Sequence, residues 1–125
     1  MAHTSAVINQ RTGQIIAQRV VWAHGWLERL KGLLGTQTLD EQSGMWLKPC
    51  RSIHTLGMNY AIDVVFLDRQ NKICQLSSQV RPYRACTAPL RTQSALELPA
   101  GRIQHLSLQL DDLLQFEPLD TQHVA

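Results

Sequence analysis

Apolar and polar positions along this chain change period several times, and each change marks an element. Val7-Ile8-Asn9-Gln10 and Gln14-Ile15-Ile16-Ala17-Gln18-Arg19-Val20-Val21 flank Arg11-Thr12-Gly13. Two β-prone stretches around Thr-Gly predict an antiparallel hairpin, because glycine supplies the positive φ that a tight reversal requires. Over residues 24–34 the period becomes helical: Trp26, Leu30 and Leu33 share one side, Glu28, Arg29 and Lys31 the other, and Gly35 stands as a stop. The pattern predicts one short N-terminal amphipathic helix, weakened by Gly32. Residues 36–43 read as a polar loop, after which Gly44-Met45-Trp46-Leu47 is apolar until Pro49 interrupts it.

Residues 50–55 alternate, with Cys50, Ser52 and His54 on one side of an extended chain and Arg51, Ile53 and Thr55 on the other. Gly57 and Asn59 mark a turn. Ala61-Ile62-Asp63-Val64-Val65-Phe66-Leu67 is the most apolar stretch, β-branched and aromatic, and predicts a central strand. A turn at residues 68–71 leads into a weakly alternating partner strand over 72–80. Residues 81–93 carry Pro82 and Pro89 with little periodicity, and a loop of that length is a candidate lid or binding loop. Ser94-Ala95-Leu96-Glu97-Leu98 predicts another strand, residues 102–106 a single helical turn near residue 103, and Leu113-Leu114-Gln115-Phe116 a closing strand.

About seven short strands with one helix predict a mainly β domain, a β-sandwich or closed β-roll, since a βαβ protein places helices between successive strands. The length of 125 residues suits one domain, which buries roughly two thirds of its unfolded surface. The compact core is expected over about residues 5–117 and a frayed tail over 118–125. A net charge of +2 falls short of the clustered basicity of nucleic-acid binders, so no nucleic acid is expected. No apolar run reaches the roughly 18 residues of a membrane span and no secretion signal is evident, which makes the cytoplasm the expected location. Three cysteines, Cys50, Cys74 and Cys86, are expected to remain thiols.

Ser52, His54 and Asp63 form the candidate catalytic set, by the logic of a nucleophile, a base and an orienting carboxylate. On an extended chain Cys50 and His54 stand roughly 13 Å apart, so a direct dyad fails unless the chain bends at Pro49 or Gly57. Asp63 is telling because a carboxylate inside an apolar strand loses several kcal/mol of hydration unless donors satisfy it. Its alternatives are a buried cap or ion pair, and a site role. Arg81, Tyr83 and Arg84 can clamp a carboxylate or phosphate, because arginine presents a planar fork of donors. With Ser52, His54, Thr55 and Asp63 they make up the expected ligand-binding set. A metal would draw on Cys50, His54, Asp63, Cys74 and Cys86, but no Cys-x-x-Cys pair is present and no cofactor is expected.

The segments Glu28-Arg29-Leu30-Lys31-Gly32-Leu33-Leu34, Ser43-Gly44-Met45-Trp46-Leu47, Pro49-Cys50-Arg51-Ser52-Ile53-His54-Thr55, Ile62-Asp63-Val64-Val65-Phe66-Leu67-Asp68 and Leu96-Glu97-Leu98-Pro99-Ala100-Gly101 occur in this order. Together they resemble the domain-of-unknown-function family 192, in its Ser-Ile-His-Thr branch, from about residue 23 to 116. The resemblance implies a compact β-sandwich-like domain with little helix and no established reaction, cofactor or substrate. The preferred functional reading is therefore a non-catalytic binding or accessory module for a small ligand or protein partner. The alternatives are a small hydrolase-like or acid/base enzyme using His54 and Asp63, with Ser52 or Cys86 as nucleophile, and a metal-binding domain.

Overall fold

The computed structural model describes residues 4–23, 40–55 and 58–119. The elements run β1 (Thr4–Asn9), β2 (Ile15–Ala23), β3 (Ser43–Leu47), β4 (Ser52–His54), β5 (Ile62–Asp68), β6 (Ile73–Val80), β7 (Ala85–Thr87), β8 (Thr92–Pro99), α1 (Arg102–His105) and β9 (Leu114–Pro118). The predicted hairpin is β1–β2, with Gly13 at φ 73° in its turn. The strand predicted over residues 61–67 is β5, held antiparallel between β6 and β8 and second from one edge of its sheet. The helical turn near residue 103 is α1. The helix predicted over residues 24–34, with Trp26, lies outside the described residues.

Seven strands form one sheet in the order β6-β5-β8-β3-β2-β1-β9, while β4 and β7 pair apart from it as a two-stranded flap. The sheet curls into a half-barrel. Trp46 on β3 stacks on Phe116 of β9 with centroids 3.8 Å apart, although these strands are separated by three steps in the sheet. In a flat sheet three steps span about 14 Å, so the curvature itself brings the rings together. The sheet's two edges meet where Lys72 bridges Leu113, and the Ile73 N–H donates to the Asp112 carbonyl at 2.9 Å.

This architecture refines two expectations. The expected β-sandwich or closed β-roll takes the form of a mainly β domain with one curled seven-stranded sheet and the β4–β7 flap, because alternation specifies which side of a strand is buried but not whether the sheet stacks or bends. The loop at residues 81–93 contains β7, whose three residues are too short for a visible period. β9 stays paired with β1 through Pro118, and residues 120–125 of the expected tail lie outside the described residues.

Curling gives the sheet two apolar faces. Inside lie Val7, Val20, Val65, Leu96 and Leu98, sealed at one end by Ile103, Leu106 and Leu108. Outside, Ile62, Val64 and Phe66 of β5 pack with Met45, Leu47 and Ala95, and Ile53 of the flap and Met58 join them. Both faces of β5 are thus covered, which explains its nearly unbroken apolar run.

Candidate functional site

The flap carries most of the sequence-predicted site residues. In β4, Ser52 and His54 face solvent while Ile53 points into the outer core, so the predicted alternation holds at these three positions. Antiparallel pairing sets Ser52 opposite Thr87, Ile53 opposite Cys86 and His54 opposite Ala85. The Ser52 and Thr87 hydroxyls lie 3.4 Å apart. Thr55 follows β4 and is fully buried. Its hydroxyl donates to the Arg81 carbonyl at 2.7 Å and accepts from the Arg84 N–H at 2.8 Å, and its own N–H donates to the Arg84 carbonyl at 2.8 Å. The Tyr83 N–H in turn reaches the Thr55 carbonyl at 3.2 Å. Thr55 therefore pins residues 81–84 to the end of β4 and leaves Arg81, Tyr83 and Arg84 exposed beside His54.

Asp63 is placed elsewhere. It faces the inner side of β5, opposite to Ile62 and Val64, which pack toward the flap. One carboxylate oxygen accepts the Gln79 N–H at 2.8 Å, and the other accepts the N–H groups of Gly101 at 3.1 Å and Ile103 at 2.8 Å. Gln79 and Gly101 both have positive φ, at 52° and 95°, so this carboxylate holds two left-handed turns. It also supplies the cap that Gly101 cannot give to α1, whose first N–H groups have no partner within the helix. The sheet separates Asp63 from His54, and the Ser52–His54–Asp63 set is not assembled.

Cys50 and Cys86 are half-buried against the outer core, and Cys74 is buried with its sulfur 3.1 Å from the Thr92 hydroxyl. None of the three is in a disulfide. The Cys50 thiol donates to the Ser52 carbonyl at 3.3 Å. Among the described residues no group of three or more His, Cys, Asp or Glu converges as a metal site requires. No helix among them is long and apolar enough to cross a membrane.

Two groups were not singled out in the sequence. Glu97 is fully buried in β8, on the outer face with Ala95 and between Met45 and Val64 in register. A lone charge in an apolar strand signals it, as for Asp63, but Glu97 reads as part of the Glu-Leu-Pro turn. Two open clefts of about 300 and 290 Å³ also lie at the base of the flap, with Gln93 lining both. Asp68, Arg69 and Arg91 line one, Arg51 and Leu90 the other. Their residues are far apart in the chain, which hides them from a motif search.

With the half-barrel and flap in place, the chain can be set beside known proteins. The profile of the DUF192 family, described as uncharacterized ACR, matches residues 7–116. The chain belongs to the DUF192 family. It is similar to a UPF0127 protein of Thermococcus sibiricus, at 28% identity over 116 residues that span 89% of this chain and 74% of that one. The fold of this DUF192 domain is shared with a protein of unknown function from Novosphingobium aromaticivorans, at a TM-score of 0.74 and 19% identity, covering 90% of this chain and 83% of the other. A Sinorhizobium meliloti protein whose proposed role is transcription regulation matches with a TM-score of 0.74 and 18% identity, over 93% and 94% of the two chains. At these identities the two structures speak for the fold alone.

Proposed function

We propose that this DUF192 domain is a non-catalytic binding module whose recognition surface is the outward side of the β4–β7 flap, taking a small ligand or a segment of a protein partner. The observation that carries this reading is the Thr55 pin. Fixing the backbone of residues 81–84 against β4 sets two guanidinium groups and a phenol beside the His54 imidazole before any partner arrives, which reduces the ordering entropy lost on binding. Tyr83 is 65% exposed at φ 60°, so the turn presents its ring outward instead of packing it. Catalysis is the weaker reading, because the carboxylate that would orient His54 is occupied by three main-chain donors on the opposite face of the sheet.

The test is a ¹⁵N NMR titration of the whole chain with pools of metabolites and short peptides. Shifts should concentrate on residues 52–55 and 81–87 and disappear in a Tyr83→Ala, Arg84→Ala double variant. Shifts confined to other surfaces sink the proposal. Hydrolysis of ester or peptide probes that is lost in His54→Ala replaces it with an enzyme.

A further inference from the structure

The groove formed by the two clefts shares no residue with the flap's outward surface, and its chemistry is different. β5 and β8 run antiparallel with Asp68 opposite Thr92. The ladder ends at that pair, and Arg69 and Arg91 are the first residues beyond it on each side. Both line the same cleft. Across Gln93, the second cleft adds Arg51. All three arginines are exposed, and among the described residues none has an ion-pair partner. Arg11, Arg19 and Arg102 each meet a carboxylate, whereas Arg81 and Arg84 at the flap share the exposed, unpaired state among the described residues.

Two guanidinium groups lining one cleft repel each other, so an unpaired Arg69/Arg91 couple is an arrangement that an anion would relieve. The acid beside it does not fill that role. Asp68 directs one oxygen to the N–H groups of Gln70 at 2.8 Å and Lys72 at 3.0 Å, closing its own turn. Guanidinium forks match carboxylate and phosphate oxygens two at a time, and the Gln93 side chain sits between the two clefts as a neutral hydrogen-bonding group. Leu90, 82% exposed, and Pro49 add an apolar rim at the Arg51 end.

We propose that this groove is a binding site for a small oxyanion-bearing molecule, a carboxylate or a phosphate, gripped by Arg69 and Arg91 and extended toward Arg51. The site stands independently of the flap, so its failure leaves the flap reading untouched. Isothermal titration and ¹⁵N NMR with citrate in one arm and pyrophosphate in the other test it and distinguish the two chemistries. One probe should bind saturably, shift residues 69–70 and 91–93, and weaken as salt rises. Arg69→Gln combined with Arg91→Gln should weaken that binding at least tenfold, whereas Arg19→Gln, remote from the groove, should leave it unchanged. Both groove substitutions are at exposed positions, and an unaltered thermal melt checks that they still fold. No saturable binding of either probe, or equal affinity in the double variant, overturns the proposal.

Discussion

Asp63 accepts three backbone N–H groups from β6, from the turn before α1 and from α1 itself. An asparagine keeps one acceptor and turns an amide N–H toward a main-chain donor, while hydrogen bonds to a charged group contribute about 1.5–3 kcal/mol each. Asp63→Asn should therefore lose about 3 kcal/mol or more in urea unfolding, and a loss under 1 kcal/mol would show that the carboxylate is not holding these turns. Thr55 acts similarly on a smaller scale. Thr55→Val leaves the Arg84 N–H and the Arg81 carbonyl without their buried partner, at about 1–3 kcal/mol. Amide exchange should accelerate at residues 81–84, and Thr55→Ser should restore most of the protection. That Asp63 is a buried, satisfied carboxylate was legible in the sequence, because desolvation demands donors wherever such a residue sits. Its partners were not, since all three are main-chain groups and any residue but proline supplies one.

At the scale of elements, β3 and β8 approach so closely that a Cβ on Gly44 would lie 2.9 Å from the Glu97 carbonyl oxygen and 3.1 Å from Leu98 Cδ2. The first of these is backbone, so relief requires the strands themselves to separate. Gly44→Ala should then destabilise by about 1–3 kcal/mol, as overpacked cores do, and lower the melting temperature. An unchanged melting temperature would mean that the two strands part without loss. The β1–β2 hairpin and β5 were legible because local signals suffice for them: a glycine at a turn, and a run of β-branched residues covered on both faces. The flap was not. β4 and β7 are three residues each, separated by thirty residues of chain, and their pairing depends on the outer core beneath Ile53 and on Thr55 at one end. Sequence reasoning consequently singled out Ser52, His54, Arg81, Tyr83 and Arg84 without the β4–β7 pairing and the Thr55 bonds that place them near one another.

For the whole molecule, the curl depends on what holds the sheet's edges near one another, and Asp112 lies at that seam. Its buried carboxylate accepts from Arg11, from the Asn9 side chain at 2.9 Å and from the Gln109 N–H at 2.9 Å, while its carbonyl accepts from Ile73. It thus joins the β1–β2 turn, the loop before β9 and the start of β6. Burial works to raise the Asp112 pKa, but the hydrogen bonds from Arg11, Gln109 and Asn9 and the Arg11 charge outweigh it and hold the carboxyl below its ordinary value of 3.8. A carboxyl whose folded pKa is depressed contributes stability that is fully present above its unfolded value, about 3.9, and is lost as pH falls through the folded value. Arg11 is 42% exposed, so solvent weakens the ion pair itself, and the hydrogen bonds to the buried oxygens are the larger part. Asp112→Asn should therefore be less stable than the parent by about 1–2 kcal/mol at pH 7. That gap should narrow steadily below pH 4, where the parent loses the same charge. Urea unfolding of both proteins at pH 7, 5, 4 and 3 measures it. Parallel stability curves at every pH would show that backbone bonds between residues 71–73 and 111–114 hold the two edges, and that the charged network at the seam contributes nothing to closing the half-barrel.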